Sequence, residues 1–183
     1  MYKLISLNLF QFIEINKENH DHAMSLYKLL KSKSFNISHK DIPNFTDHLN
    51  FVKNSRYREW FLISKLKKIC GSFYLTNENV IGINLISNNT NEYIEIIRHI
   101  IENHTPLEPI PSFRSQYFLI NANPNNLNLI KAMQYLKMDH IQNTHTNYHE
   151  YLESAKYKFF GTICMENIPQ LGFTLLYSSY HST

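Results

Sequence analysis

The spacing of hydrophobic residues along the chain predicts four helices. Over residues 20–32 the hydrophobic positions recur every three to four residues, which is the period of an amphipathic helix. The residues that share its apolar face are Ala23, Leu26, Leu29 and Leu30. Similar patterns predict helices at 46–54, 91–103 and 127–138. Each helix then has an apolar side to bury against another layer of structure.

Runs rich in β-branched and aromatic residues predict strands around these helices. The runs lie at 6–15, 59–64, 69–76, 79–86, 116–122 and 140–147, with further strand-like runs at 157–165 and 172–179. The short polar connector Asn77-Glu78 is typical of a hairpin turn. The order is one strand, two helices, three antiparallel strands, and then helix, strand, helix and strand. This order predicts an α+β protein built on one sheet.

Composition adds that the chain is an ordinary globular domain. With 183 residues, of which 43% are hydrophobic, it is long enough to bury a core. The net charge of +3 includes no concentrated basic run, which argues against a nucleic-acid partner. Gln11 and Glu14 interrupt the apolar start, so we expect neither a signal peptide nor a membrane partner. Cys70 and Cys164 lie in apolar surroundings, which favours buried thiols in a cytoplasmic protein.

Two segments carry motifs that agree in order and spacing with one known family. The first reads NISHKDIP at 36–43 and continues through His48 and Trp60 to GSFYL at 71–75. The second reads NANPNN at 121–126 and continues to HIQNT at 140–144. Both segments resemble a bacterial subgroup of the GCN5-related N-acetyltransferases (GNAT). The resemblance covers roughly residues 4–147.

The resemblance implies a fold, a reaction and a cosubstrate. The implied fold is a GNAT-like α/β sandwich, with a mixed, mainly antiparallel sheet of six to seven strands flanked by helices. In the family, the fourth and fifth strands splay apart and the pantetheine arm of acetyl-CoA enters the gap. The implied reaction transfers the acyl group to an amine of a small molecule. The family domain would span 1–147, and residues 148–183 would complete the sheet or form a homodimer contact.

The resemblance also places the cofactor along residues 84–86, the turn that follows them, and the start of a later helix. Family members hold the pyrophosphate on a glycine-rich turn at a helix N-terminus. Here that turn reads SNNTNEY at 87–93, without glycine, and the chain has no lysine or arginine from 69 to 97. Glu92 would compete with a phosphate for the positive end of the helix. The predicted cofactor-binding residues are Asn84, Leu85, Ile86, Asn88, Asn89, Asn91 and Asn126.

Both family positions for acid and base catalysis carry other residues in this chain. Val80 stands where relatives have a glutamate, and Met133 stands where they have a tyrosine or phenylalanine. Tyr135 lies two positions further on, which turns it to another face of the helix. Two hypotheses follow. The chain is either a divergent acyltransferase or a catalytically inactive protein of the same fold that binds a ligand or a partner.

Histidines supply the remaining candidates for chemistry. His39 and His48 border the implied acceptor groove, and a histidine there titrates near neutral pH, as a general base should. The alternative is that both residues pack the helices and cap the loop between them. His20 and His22 have no third ligand at a useful spacing, so no metal site is predicted.

Overall fold

The computed structural model of the chain describes residues 9–33, 42–146 and 158–164. Four helices lie in this part of the chain: α1 (His20–Ser32), α2 (Phe45–Asn54), α3 (Thr90–Asn103) and α4 (Leu127–Tyr135). Its strands are β1 (Phe10–Glu14), β2 (Glu59–Lys65), β3 (Lys68–Leu75), β4 (Val80–Leu85), β5 (Leu119–Ala122), β6 (Asp139–Thr146) and β7 (Lys158–Cys164). The strand-like run predicted at 172–179 lies outside the described residues.

The described strands form one sheet in the order β1-β2-β3-β4-β5-β7-β6. Neighbouring strands are antiparallel except β4 and β5, which run parallel. The predicted mixed, mainly antiparallel sheet of six to seven strands is therefore confirmed. The run predicted at 157–165 forms β7, which lies between β5 and β6 in the sheet.

Helices cover the two faces of the sheet and bury a separate apolar cluster on each. Because successive side chains of a strand point to opposite faces, adjacent residues of β2 join different clusters. Ile63 packs with α3 and α4 around Phe73 and Ile97, whereas Leu62 packs with α1 and α2 around Trp60. Full burial of a side chain of this size contributes about 1.5–3 kcal/mol. In the described chain, every helix is too short or too polar to span a lipid bilayer.

An asparagine caps the N-terminus of each described helix. The side-chain oxygen accepts a hydrogen bond from a backbone N–H group of the first turn in every case. The capping residues are Asn19 for α1, Asn44 for α2, Asn89 for α3 and Asn126 for α4. Such a cap stabilises a helix by about 1 kcal/mol. Capping by Asn44 also explains why α2 begins at Phe45, one residue before the predicted start.

Helix α4 ends earlier than predicted, because a residue in the left-handed backbone conformation terminates it. The pattern predicted a helix over 127–138, but α4 ends at Tyr135. Lys137 has a φ of 56°, and the Met138 N–H group donates to the carbonyl of Met133 at 3.0 Å. This backbone bond across six residues is a common helix ending that satisfies carbonyls of the last turn.

A buried asparagine fixes the loop that leads to β5. Asn79 is fully buried, and its Nδ2 donates to the carbonyls of Leu107 at 2.9 Å and Ser115 at 2.7 Å. Its Oδ1 accepts from the Leu107 N–H group at 2.8 Å. The predicted strand at 116–122 begins only at Leu119, where the backbone N–H donates to the Asn79 carbonyl. Asn79 thereby sets the point at which β5 meets β4.

Candidate functional site

The parallel strands β4 and β5 pair over a short distance and then separate. Their register includes two residue pairs, Val80 with Leu119 and Ile81 with Ile120. Beyond these pairs, β4 continues to Leu85 alongside β3, while β5 continues alongside β7. Within these described strands, the edges that face each other after Ile81 have no ladder. An unpaired strand edge offers backbone donors and acceptors to an extended ligand.

A narrow cleft lies in this opening and contains about 420 Å³ of empty space, including its solvent-exposed mouth. It is lined by Lys33, Ile83, Asn84, Leu85, Asn88, Tyr93, Asn121, Asn123, Asn126 and Leu129. The lining is rich in side-chain amides, which both donate and accept hydrogen bonds. Its polar character suits a ligand that carries amide and charged groups.

Tyr93 and Asn126 form the wall of the cleft between α3 and α4. The Asn126 Nδ2 donates to the Tyr93 hydroxyl oxygen at 3.2 Å, and its Oδ1 accepts from the Leu129 N–H at 3.1 Å. Burial raises the pKa of Tyr93, and the bond from Asn126 opposes this shift in part. Tyr93 therefore keeps its proton at neutral pH. Because Asn126 donates to the phenol oxygen, the phenol proton is available to another acceptor.

The turn between β4 and α3 contains a residue in the left-handed backbone conformation, and that residue is not glycine. Asn88 has a φ of 44°, a region that asparagine tolerates better than most residues. Its carbonyl accepts from the Asn128 Nδ2 at 2.7 Å, and the Thr90 hydroxyl donates to the Asn128 Oδ1 at 2.9 Å. Among the described residues, the buried side-chain oxygen of Asn88 has no hydrogen-bond partner. Asparagine in place of the family's glycine is thus compatible with the backbone of this turn.

Glu92 is neutralised by a lysine from a distant strand. The Lys65 Nζ lies 2.5 Å from the Glu92 Oε1, and the Ser87 hydroxyl donates to the other carboxylate oxygen. Burial alone would raise the pKa of Glu92, but the bonds from Lys65 and Ser87 outweigh burial and lower it. The carboxylate is therefore charged and paired at neutral pH. Its expected competition with an anion at the start of α3 is correspondingly weaker.

The cofactor residues predicted from sequence divide into two groups. Asn84, Leu85, Asn88 and Asn126 line the cleft together. The other three lie beside it without being among its lining residues: Asn89 caps α3, whereas Ile86 and Asn91 are exposed. Sequence reasoning missed the other six described lining residues, among them Lys33 and Tyr93. Tyr93 follows the apolar spacing of α3, which was a usable signal, but nothing in the sequence links Lys33 to β4.

The predicted catalytic residues are not brought to the cleft by the described structure. His39 lies outside the described residues. His48 is 5% exposed between α1 and α2, with its ring centre 5.3 Å from that of Tyr27. Burial lowers the pKa of His48, and a hydrogen bond to the backbone of Ala23 opposes this effect. These contacts match the alternative in which His48 packs the helices. A role as base would require an acceptor to approach it there.

The two altered family positions have different surroundings. Met133 is fully buried in the core, and Tyr135 is 63% exposed. Val80 belongs to the short paired section of β4 and β5. On the face of β4 opposite α3, the Tyr74 ring lies directly against Gly82. The same ring stacks on Tyr57, with ring centres 4.0 Å apart. This aromatic pair covers β4 where its separation from β5 begins.

Comparison with known proteins gives a fold and no family assignment by sequence. No family model matches the chain, and no curated protein matches it. Among solved structures, it is similar to RimL, a ribosomal L7/L12 α-N-protein acetyltransferase in complex with CoA. The TM-score is 0.58 and the identity 11%, over 86% of this chain and 94% of that one.

Two further structures show the same likeness. The spermidine/spermine N-acetyltransferase SpeG from Vibrio cholerae matches with a TM-score of 0.57 and 8% identity, over 86% of this chain and 93% of that one. YncA from Salmonella typhimurium, solved with its cofactor acetyl-CoA, matches with a TM-score of 0.60 and 5% identity. That match covers 90% of this chain and 98% of YncA. The chain therefore has the GNAT fold.

Proposed function

We propose that the chain is an N-acyltransferase that transfers an acyl group from acetyl-CoA to an amine of a small molecule. The opening between β4 and β5 carries this proposal. The pantetheine arm of acetyl-CoA is extended and contains two amide groups. Lying in the opening, it would pair with the backbone edge of β4 and with the asparagines of the cleft.

The similar structures support acetyl-CoA as the ligand, but their acceptors belong to more than one chemical class. YncA and RimL were solved with acetyl-CoA and CoA, respectively. By name, SpeG acts on spermidine and spermine, whereas RimL acts on a protein. The chemistry common to both acceptors is an amine. A small-molecule amine is the acceptor that we propose for this chain.

The reaction requires a bound amine, a polarised carbonyl, an acceptor for the amine proton and a donor that protonates the departing thiolate. The amine nitrogen bonds to the thioester carbonyl carbon, the carbon–sulfur bond breaks, the nitrogen loses a proton and the thiolate gains one. Backbone N–H groups of residues 79–86 would polarise the carbonyl oxygen. Of the lining residues that the structure describes, Tyr93 alone has a hydroxyl, and it would donate the proton to the thiolate. His39, His48 or water would take the proton from the amine.

A second function is favoured by one specific observation. The family position for the acid is Met133, which is buried in the core, and the position for the base is Val80. A protein with these residues could bind a CoA-type ligand without catalysing transfer. Loss of one acid or base reduces rate by about 10²–10⁴-fold, so measurement of turnover separates the two functions.

Titration calorimetry with acetyl-CoA tests the proposal directly. We expect the wild-type chain to bind it, and Asn84→Trp to abolish binding because the larger side chain fills the cleft. Asn103→Trp is the matched control, since Asn103 is exposed at the far end of α3. No heat and no thermal stabilisation at millimolar acetyl-CoA would reject the function.

Turnover then decides between the two functions. Release of CoA thiol in the presence of a panel of polyamines, amino sugars and peptide N-termini would establish transfer and identify the acceptor class. Binding of acetyl-CoA without acceptor-dependent thiol release would instead establish the non-catalytic function.

A further inference from the structure

Lys33 provides the one positive charge among the described residues that line the cleft. It follows directly after α1 and is half-buried. The amide of Asn84 in β4 reaches the Leu29 carbonyl near the end of α1 at 3.4 Å, which places this end of the helix against β4. Sequence alone gave no reason to connect Lys33 with the cofactor turn, because 55 residues separate it from Asn88.

The ammonium group of Lys33 lacks a counterion in the described structure. It forms no ion pair or hydrogen bond to another described residue, and burial lowers the pKa of Lys33. A buried charge is unfavourable unless it is paired or hydrogen-bonded. The neighbouring Lys31 differs, since it is exposed and its ammonium lies over the Tyr27 ring at 4.8 Å. An anion in the cleft would supply what Lys33 lacks.

In the part of the chain that the structure describes, the other walls of the cleft carry neither a carboxylate nor a second cation. Their lining residues on β4, the turn and the strand β5 side are neutral, and Tyr93 on α3 is the one other ionisable group. Beyond the lining, Lys65 is already paired with Glu92. A phosphate entering the cleft would therefore meet Lys33 without competition from a carboxylate of the lining.

We propose that Lys33 binds a phosphate group of acetyl-CoA, supplying the positive charge that the turn after β4 lacks. The proposal rests on the proposed function, since it assigns one contact of the same cofactor. A carboxylate of the acceptor has related chemistry and is the other source of such an anion. A phosphate is the better match, because acetyl-CoA carries several and the family turn that usually holds them has no cation here.

Matched lysine variants and two ligands test the proposal. Lys33→Met should weaken acetyl-CoA binding at least tenfold, which corresponds to about 1.4 kcal/mol. It should leave the affinity for acetyl-pantetheine, which has the arm without the nucleotide phosphates, unchanged. Lys31→Met removes an equal charge from the last turn of α1, two residues before Lys33 and outside the cleft lining, and should affect neither ligand. Circular dichroism of both variants checks that the fold is retained.

The pH dependence of acetyl-CoA affinity, compared between the wild type and Lys33→Arg, tests the charge of Lys33 separately from its packing. Wild-type affinity for acetyl-CoA should fall as pH rises through the lowered pKa of Lys33, because the ammonium loses its charge. Lys33→Arg should retain affinity and remove this fall, since guanidinium stays charged. Acetyl-CoA is used because it has no thiol to ionise. Tyr93→Phe checks that Tyr93, the other ionisable lining residue, does not cause the fall.

Each outcome has a defined meaning. Unchanged acetyl-CoA affinity in Lys33→Met, or an equal loss for acetyl-pantetheine, would overturn the proposal. A raised KM confined to carboxylate-bearing acceptors would assign the anion to the acceptor and reject the phosphate. Inorganic pyrophosphate separates this inference from the proposed function. If the wild type bound pyrophosphate through Lys33 but not acetyl-CoA, the function would fail and the anion contact would remain. Binding of neither ligand would overturn both.

Discussion

Asn126 makes two hydrogen bonds that serve different parts of the structure. Its Oδ1 caps α4 through the Leu129 N–H group, and its Nδ2 holds the Tyr93 hydroxyl from α3. The sequence analysis predicted Asn126 as a cofactor-binding residue. The structure shows the cap and also places the residue in the cleft lining. One buried amide therefore links helix stability to the shape of the site.

Replacement of Asn126 should destabilise the protein more than replacement of an ordinary helix cap. Asn126→Ala should lower the free energy of unfolding by about 2–3 kcal/mol, through loss of the cap and of a buried hydrogen bond. Asn19→Ala removes the N-terminal asparagine cap of α1 and should lower the free energy of unfolding by about 1 kcal/mol. Urea denaturation measures both. Equal losses in the two variants would show that the bond to Tyr93 contributes nothing.

At the scale of elements, β4 depends on a position without a side chain. A Cβ atom on Gly82 would overlap the far end of the Tyr74 ring, which crosses β4 on the face opposite α3. Tyr74 cannot yield freely, because it stacks on Tyr57, whose pKa is raised by burial and by the neighbouring Tyr74 phenol. Gly82 is also the first residue of β4 beyond its pairing with β5. The aromatic pair and the opening of the sheet therefore meet at Gly82.

Gly82→Ala should destabilise the fold through this overlap. Overpacking of a filled site typically lowers the free energy of unfolding by about 1–3 kcal/mol. Combining it with Tyr74→Ala should recover part of that loss, because the ring that the new methyl group meets is gone. The two single variants and the double variant form a cycle that urea denaturation can measure. Strictly additive losses would contradict a direct contact between the two positions.

The helices and strands were predictable where a local sequence pattern is enough to determine the element. Apolar periodicity found the four described helices, and β-branched runs found the described strands. The predicted boundaries were wrong where a backbone conformation or a contact with a distant residue determines the end of an element. Lys137 ends α4 by adopting a left-handed φ of 56°, an unusual state for lysine. Asn79 delays the start of β5 through bonds to backbone groups 28 and 36 residues away.

At the scale of the whole molecule, the cleft is assembled from segments that are far apart in sequence. Its described lining comes from the residue after α1, from β4 and the turn after it, from the start of α3, from β5 and the turn after it, and from the start of α4. The resemblance pointed to Asn84, Leu85, Asn88 and Asn126, because it assigns the cofactor to residues 84–86, to the turn after them and to the start of a later helix. Lys33 could not be anticipated, since only the packing of α1 against β4 brings it there. The Lys65 and Glu92 pair across 27 residues escaped prediction for the same reason.

Two histidines whose pKa values are lowered should make the stability of the whole molecule depend on pH. The pKa of His48 is lowered from its ordinary value of 6.5 by burial, against a hydrogen bond to the backbone of Ala23. The pKa of His99 is lowered from the same value by burial and by His104, against Glu102. A histidine whose pKa is lower in the folded state binds its proton preferentially in the unfolded state. Stability should therefore be intact above pH 6.5 and decrease as pH falls from 6.5 toward the folded-state pKa values.

His48→Gln should reduce the slope of that decrease, because glutamine cannot titrate. The pH dependence that remains in this variant is attributed to His99. It should decrease further in the double variant that also carries His99→Gln. His140→Gln is the control, since His140 is exposed on β6 and its replacement should leave the slope unchanged. Urea denaturation at closely spaced pH values between about 7.5 and 5 measures the free energy of unfolding for each variant. An unchanged slope in His48→Gln would mean that the α1 and α2 interface admits the protonated ring. That result would in turn favour His48 as a group able to take a proton from an acceptor amine.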